Sequence, residues 1–301
     1  MLHEYALDPR CLNEWDTFIR LTEQFGIPYG RLISQFPKTW LRIVHEVCGH
    51  FTFRQRQIMG DKLAKLKRQA LIRSGRKYNS ATAWIENAIQ QHHIIPFHAI
   101  IADQNQEELE FVLIAKEIIA ETALWSVPRE APIPRTADSL GAAVGPLLKM
   151  SKRILFVDKR FEPSTLRWQD ALRKFLDLAI DGRASTPDFE YHMQYDHKDL
   201  TKTEEFYRYC DDELSGLVPA GVEIHLFRWD KKAKGEGIHA RYILTERGGI
   251  RIDWGLDTGR EGETTDVTLM DENLWKKRLE DYYETSETFD LMDKVCIKGK
   301  A

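Results

Sequence analysis

Residues 237–257 read GIHARYILTERGGIRIDWGLD, two apolar runs separated by a Gly-Gly turn. This pattern predicts a β-hairpin. Side chains two apart on an extended strand point to the same face, so we expect His239 and Arg241 to lie side by side on the first strand. An imidazole can attack or transfer a proton near neutral pH, and a neighbouring guanidinium can bind phosphate oxygens in a bidentate manner. The pair therefore suits a phosphate ester.

The hairpin follows a region in which strands and helices alternate. Such alternation predicts an α/β domain with a mixed sheet, which we place at residues 137–301. The predicted helices cover residues 136–150, 164–180 and 203–217, with a last one after Asp271, and the predicted strands cover residues 153–158, 189–195 and 222–229.

The first part of the chain shows mainly helical spacing of apolar residues. It predicts a mainly α-helical N-terminal domain over residues 1–125, with its last helix at Glu107–Trp125. Three prolines then follow within residues 126–136. Proline fixes φ and lacks the amide hydrogen that a helix needs, so this segment is predicted to be a linker between the two domains.

Composition sets limits on the environment and the partners of the chain. The 43 basic and 47 acidic residues nearly balance, so any nucleic-acid binding must come from a local patch. The four cysteines form no CxxC pair, and His92, His93 and His98 have no carboxylate or cysteine at ligand spacing. With no apolar run long enough for a membrane span and no export signal, we expect a cytoplasmic protein without a metal or cofactor.

The order strand, helix, strand, helix, strand and His-x-Arg hairpin resembles one half of the phospholipase D superfamily, over roughly residues 137–290. That superfamily carries His-x-Lys, four residues, Asp, and then Gly-Ser-x-Asn. Here His239 matches the histidine, Arg241 replaces the lysine, Glu246 stands at the aspartate position, and Gly255-Leu256-Asp257 lies near the last motif but out of register. The hairpin resembles still more closely the phospholipase-D-like C-terminal domain of some MIT-domain proteins and of stand-alone bacterial proteins found beside phage-defence genes.

This resemblance implies a phosphodiesterase, and we expect a nuclease, in anti-phage defence. In catalytic members the motif histidine attacks phosphorus to form a phosphohistidine, while a second histidine protonates the leaving oxygen. The chain carries one such motif, so catalysis requires a homodimer formed through the C-terminal domain. The catalytic candidates are His239, Arg241, Glu246 and Asp257.

A second hypothesis is a catalytically degenerate module that binds nucleic acid, phospholipid or a partner protein within a larger complex. It is favoured by the single motif and by Leu256, which replaces the serine hydroxyl of the superfamily. Each candidate side chain also has a structural alternative: a strand-face polar pair for His239 and Arg241, a turn residue for Glu246, and a turn cap for Asp257. Asp158, at the end of a predicted strand, fits either a ligand-binding edge or a simple turn.

One segment of the N-terminal half is strongly basic, with Asp61 its single acid. Because neutralisation of phosphates supplies most non-specific affinity, this segment is predicted to contact a nucleic-acid backbone. A solvated helix face or an interface with an acidic partner fits the same pattern. The candidate binding residues are Arg54, Arg56, Lys62, Lys65, Arg68, Arg73, Arg76 and Lys77.

Overall fold

The computed structural model describes residues 1–197, 202–238 and 240–300. It divides into two compact units, Met1–Arg129 and Glu130–Ala301, and both contain helices and a sheet. Within the described residues, every helix is too short or too polar to cross a membrane.

The first unit is built on a five-stranded parallel sheet in the order β3-β2-β1-β4-β5. The central strand β1 pairs through Tyr5 with Ile33 on one side and Ala99 on the other. In chain order the elements are β1 (His3–Leu7), α1 (Trp15–Thr22), β2 (Arg31–Gln35), α2 (Trp40–Val47), α3 (Phe53–Gln69), β3 (Leu71–Arg73), α4 (Trp84–Ile94), β4 (Ala99–Ala102) and β5 (Val112–Ile114).

The prediction of a mainly helical first half is therefore wrong. Its strands are short and largely buried, as in β4, whose sequence is AIIA. Parallel strands of this kind are continuous apolar runs, which periodicity does not distinguish from a buried helix. The predicted helix at Glu107–Trp125 is also wrong, because this segment contains β5 and a short 3-10 helix at Ala115–Glu117.

The second unit carries an eight-stranded mixed sheet in the order β13-β9-β8-β7-β10-β11-β12-β6. Strands β7, β8 and β9 are parallel to one another, and the other neighbours are antiparallel. This confirms the predicted mixed sheet and hairpin, but β10 begins at Tyr242, so Arg241 precedes the strand on which it was predicted to lie. The elements are β6 (Glu130–Pro134), α5 (Ala137–Met150), β7 (Arg153–Val157), α6 (Leu166–Ile180), β8 (Asp188–Gln194), α7 (Thr203–Leu214), β9 (Glu223–Lys231), β10 (Tyr242–Thr245), β11 (Gly249–Ile252), β12 (Thr264–Leu269), α8 (Glu272–Glu280) and β13 (Phe289–Lys298).

The proline-rich segment predicted as a linker is partly a strand of this sheet. Residues Glu130–Pro134 are extended, as their prolines require, and they pair with β12 as the edge strand β6. Proline is tolerated at an edge because one side of the strand has no neighbour that needs an amide donor. The expectation of a linker over residues 126–136 is thus corrected, and the second unit begins earlier than residue 137.

Helices cover both faces of the central strands. On one face, Phe156 of β7 stacks on Phe175 of α6, with ring centroids 5.6 Å apart. On the other face, α8 is joined to β10 by Trp275, whose Nε1–H donates to the carbonyl of Thr245 at 2.9 Å. Strand β7 is therefore buried on both sides, and its end is held in a fixed position.

A polar network is buried within the sheet around His192, which is fully buried. Trp229 Nε1–H donates to His192 Nδ1 at 2.9 Å, so Nε2 carries the proton and donates to Glu190 at 3.0 Å. Arg153 binds the same carboxylate through Nε and Nη2, at 2.6 and 2.9 Å. Burial lowers the pKa of His192, although the bond to Glu190 opposes this effect. Burial also acts to raise the pKa of Glu190, but the hydrogen bonds from His192 and Arg153 lower it to about 2.

This network predicts loss of stability in mild acid. Below pH 6.5 the unfolded chain takes up a proton on His192 that the folded chain does not, so the stability present above pH 6.5 is lost as the pH falls toward the lower folded pKa. We expect hydrogen exchange of residues 186–231 to show a lower free energy of opening at pH 5.5 than at pH 7. His192→Gln should flatten this dependence, whereas His197→Gln, at an exposed position, should leave it as in the wild type. An equal pH dependence of the free energy of opening in all three proteins would contradict the assignment of this loss of stability to His192.

Candidate functional site

The carboxyl end of β7 brings Asp158 and Arg241 together. Asp158 directly follows β7, and Arg241 directly precedes β10. These strands are antiparallel neighbours, and Val157 at the end of β7 pairs with Tyr242 at the start of β10. The two charged side chains therefore meet at one edge of the sheet, as expected for ligand-binding groups of an open α/β sheet.

The loop between β11 and β12, residues 253–263, reaches the same edge. Strand β11 runs antiparallel to β10 and ends at Ile252, where this loop begins. Strand β6 also ends here, because Pro134 pairs with Thr264 at the start of β12. Arg135, which directly follows β6, is thereby placed beside this loop.

Asp158 connects several backbone segments at this edge. Its carboxylate is fully buried and accepts hydrogen bonds from the amides of Arg160 and Leu256, both at 3.0 Å, and from Trp168 Nε1 at 3.4 Å. Arg241 Nε lies 3.8 Å from Asp158 Oδ1. The carboxylate thus holds the loop at Leu256 and the guanidinium of Arg241 in a fixed relation, which is the role of a positioning residue.

Asp257 is the second buried acid of the site. Arg135 Nη2 donates to its Oδ1 at 2.8 Å, and Arg167 Nε lies 3.3 Å from its Oδ2. Arg135 is itself largely buried and also donates to Glu263 at 3.0 Å through Nη1. Asp257 is therefore the counter-ion of two arginines.

Gly255 permits the close approach of the two acids. A Cβ at Gly255 would lie 2.3 Å from Asp257 Oδ1 and 3.2 Å from Asp158 Oδ2, so both oxygens lie within 3.2 Å of one point. A side chain at residue 255 would displace a carboxylate. Two buried acids this close need cations nearby. The cations are the guanidinium groups of Arg135, Arg167 and Arg241.

Arg241 is a partly exposed cation of the site. Its side chain is 18% exposed, and its Nη1 donates to the carbonyl of Asp253 at 3.2 Å. Its Nε is buried and has no hydrogen-bond partner among the described residues. His239, two residues earlier, lies outside the described residues.

Tyr191 places a hydroxyl near the two acids. Its side chain is buried in β8, and its OH has no hydrogen-bond partner among the described residues. Burial, together with the negative charges of Asp158 and Asp257, raises the pKa of Tyr191 well above its usual value. The hydroxyl therefore stays protonated and is a neutral donor at this site.

Further cations and one aromatic ring surround these buried groups. Arg160, Arg167 and Arg260 are exposed, and Trp254 is 68% exposed. Arg135 Cζ lies 5.8 Å from the centre of the Trp254 ring. The rim thus offers positive charge and one flat apolar surface to a ligand.

A shallow cleft of about 470 Å³ borders the loop at Gly259. Its charges are mixed, because Asp170 and Asp177 lie beside Arg173 and Lys174. Unlike the edge at β7, this cleft has no marked preference for anions.

Glu246 does not belong to the site. It lies at the turn between β10 and β11, and its oxygens accept hydrogen bonds from the amides of Lys152 and Arg153 at 2.9 and 3.2 Å. Five residues of extended chain place it about 16 Å from Arg241, at the opposite end of β10. The prediction of a catalytic Glu246 is therefore wrong, and its structural alternative as a turn residue is correct.

Most of the predicted basic residues lie on the surface of the first unit. Arg54, Lys65 and Arg68 share the exposed face of α3, opposite Met59, Leu63 and Leu66. Arg73 and Lys77 are exposed beyond this helix. Lys62 binds Glu23 at 2.6 Å, and Arg56 Nη1 donates to the carbonyls of Gly49 and Phe51.

The prediction that Arg76 binds nucleic acid is wrong. Its side chain is 2% exposed and forms a bidentate pair with Glu4, and its guanidinium covers the ring of Phe97 at 3.8 Å. It also donates to the carbonyl of Ile95. This arginine stabilises the interior of the first unit and is not available to a nucleic acid.

Three residues of the site were missed in the sequence. Arg135 was assigned to a linker, and Arg167 and Tyr191 are single residues within a helix and a strand that carry no local signal. Arg135 and Arg167 contact Asp257 because β6 pairs with β12 beside the loop 253–263 and because the carbonyl of Arg167 accepts a hydrogen bond from Thr258 of that loop. Tyr191 lies on β8, which pairs with β7. Within the described residues, no cluster of three or more histidine, cysteine, aspartate or glutamate side chains is arranged to hold a metal ion.

Comparisons with known proteins add little to this geometry. No protein-family model matches the chain, and no curated protein matches it. Among solved structures, the archaeal chromatin protein TrmBL2, whose structure is described as showing a novel mode of DNA binding, is similar at 15% identity and a TM-score of 0.29. The similarity covers 59% of this chain and 58% of that one, so this chain spans less than two thirds of the matched protein. A similarity at this level assigns neither a fold family nor a function to the chain.

Proposed function

We propose that the second unit binds a phosphodiester at the carboxyl end of β7 and cleaves it, as a phospholipase-D-like nuclease. The observation that carries this proposal is Arg241, a partly exposed guanidinium that is fixed beside Asp158 and bonded to the Asp253 carbonyl at the carboxyl end of β7. Arginine binds phosphate oxygens in a bidentate geometry. The exposed arginines around it add positive charge, which attracts a polyanion.

The chemistry follows from the resemblance of the hairpin. An imidazole nitrogen of His239 attacks phosphorus, the phosphorus–nitrogen bond forms, and the bond to the leaving oxygen breaks. The histidine of a second subunit donates a proton to that oxygen, and water then hydrolyses the phosphohistidine. Arg241 stabilises the negative charge that develops on the phosphoryl oxygens. This route requires a homodimer, since one chain supplies one motif histidine.

The first unit supports the proposal through the exposed face of α3. Arg54 and Arg68 are exposed cations on this face and suit contact with a nucleic-acid backbone. We therefore propose that this helix contributes to holding the substrate. The resemblance to proteins encoded beside phage-defence genes extends the proposal to a role in anti-phage defence.

The test uses the full-length protein with labelled single-stranded and duplex DNA and RNA in the presence of EDTA. We expect cleavage by the wild type, no cleavage by His239→Ala despite retained binding, and binding weakened at least about 10-fold in Arg241→Ala, as expected for one charged hydrogen-bond donor. His197→Ala, at an exposed histidine, is the matched control and should cleave normally. Full activity of His239→Ala would remove the assigned mechanism.

A second candidate is a non-catalytic phosphate-binding module, favoured by the position of Leu256. This residue replaces the serine of the superfamily and is 1% exposed, so its side chain offers no hydroxyl to a phosphate. In this case the wild type binds a phosphodiester in an Arg241-dependent manner but shows no turnover over long incubation. A monomer in sedimentation experiments would also favour this candidate, because the catalytic route needs two copies.

A further inference from the structure

Trp254 is an exposed aromatic side chain on a fixed backbone. Its ring is 68% exposed, yet its amide donates to Thr265 Oγ1 at 3.2 Å. The preceding amide, of Asp253, donates to the carbonyl of Asp266 at 3.1 Å, and the following residue, Gly255, is buried. The backbone therefore holds the ring outward, where most of its apolar surface contacts water.

The ring lies next to the groups proposed to bind phosphate. The carbonyl of the preceding residue, Asp253, accepts the hydrogen bond from Arg241, and the amide of Leu256 binds Asp158. Arg135, the partner of Asp257, lies 5.8 Å from the ring centre. A flat aromatic surface is thus combined with fixed cations at one edge of the sheet.

The neighbours of Trp254 distinguish among possible ligands. The exposed residues of the same loop include the charged residues Asp253, Arg260 and Glu261, so the chain around the ring is mainly polar. A membrane surface or an obligate protein interface is expected to meet a wider apolar area. An exposed aromatic ring beside a cation matches the stacking platforms that bind unpaired bases.

We propose that Trp254 stacks on a nucleobase, so that the ligand of this edge is single-stranded nucleic acid. This inference rests on the proposed phosphodiester binding and specifies its substrate class. Bases of a duplex are already stacked on their neighbours and cannot present a face to the ring, whereas unpaired bases can. The phosphate next to the stacked base is then within reach of Arg241.

The experiment measures fluorescence anisotropy of the full-length protein with a labelled oligothymidylate. The competing ligands are a duplex of equal length, an oligonucleotide of equal length whose central sites are abasic, and inorganic phosphate. We expect Trp254→Ala to weaken binding of the single strand by about 5- to 150-fold, and Trp254→Phe to keep most of the affinity. Tyr207→Ala, at an exposed aromatic beside β13, is the matched control and should bind as the wild type.

The abasic ligand separates stacking from a general loss of structure. It should bind the wild type about as weakly as the single strand binds Trp254→Ala, and Trp254→Ala should not weaken it further. The slope of affinity against salt concentration should be unchanged in Trp254→Ala, because no phosphate contact is lost.

Four results would overturn the inference. Equal affinity of the wild type for the abasic and normal strands would exclude stacking. Full affinity of Trp254→Ala for the single strand would exclude it too. If Arg241→Ala bound weakly in that case, the phosphodiester proposal would remain intact. A change in sedimentation of Trp254→Ala without a change in binding would assign the ring to a contact between protein chains. If no phosphodiester bound at all, the proposed function would fail together with the inference.

Discussion

Replacing Asp257 with alanine is expected to lower the free energy of unfolding of the second unit by about 3 kcal/mol, because a buried guanidinium loses its partner. Arg135 is 9% exposed and directs Nη2 at this carboxylate, with Nη1 on the more exposed Glu263. Removal of a counter-ion leaves a desolvated charge, which costs more than the pair contributes when intact. The remaining bond to Glu263 places our estimate at the low end of the range for buried pairs.

The matched control is Asp253→Ala, four residues earlier in the same loop. Asp253 pairs with Arg251 at 3.0 Å, but both side chains are more than 40% exposed, so we expect a loss of less than about 1 kcal/mol. Hydrogen exchange followed by mass spectrometry on peptides of residues 130–300 measures both variants. Similar losses in the two proteins would show that Arg135 does not depend on Asp257.

Removing β6 is the second change with a large expected effect. A fragment of residues 137–301 lacks the strand that pairs with β12 from Thr264 to Thr268, and it also lacks Arg135. We expect this fragment to self-associate or remain partly unfolded, since β12 becomes an unpaired edge and Asp257 loses its buried partner. A fragment of residues 130–301 should be folded and should not aggregate.

Two prolines make β6 a strand that protects the sheet from pairing with another chain. Pro132 and Pro134 lack amide hydrogens, so the outer side of β6 is a poor template for another strand. Light scattering after size-exclusion chromatography, with hydrogen exchange of β12 peptides, compares the two fragments at equal concentration. Identical monodisperse behaviour and identical protection of β12 would contradict this role of β6.

The sequence predicts the centre of the second unit well. Strand β7 is an apolar run, β8 and β9 carry apolar residues mainly at alternate positions, and helices separate the three strands. The Gly-Gly turn indicates the hairpin. The edge strand β6 was not predicted because it is rich in proline. The other edge strand, β13, was missed although its exposed residues alternate with more buried ones, which is a strand pattern. In the first unit the strands have only three to five residues, too few for periodicity to separate them from helices.

The candidate site was predicted in part, for a physical reason. Arg241 and Asp257 lie within the stretch 237–257 that suggested the site, and Asp158 directly follows a strand that was identified. Arg135 and Arg167 arrive from elements 122 and 90 residues before Asp257, and only the order of strands in the sheet brings them there. Glu246 was assigned to the site from its spacing in the sequence motif. The whole of β10 separates it from Arg241, so it lies at the opposite end of the strands.

The fixed arginines of the site have a thermodynamic consequence. A free arginine side chain loses about 2 kcal/mol of rotamer entropy when a ligand immobilises it. Arg135 and Arg241 are already immobilised by Asp257, Asp158 and the Asp253 carbonyl, so most of that loss occurs when the chain folds. In calorimetry, the unfavourable conformational entropy of anion binding should therefore be smaller at this site than at a site built from exposed lysines. A short phosphate-containing ligand should bind with an affinity that is high for its size.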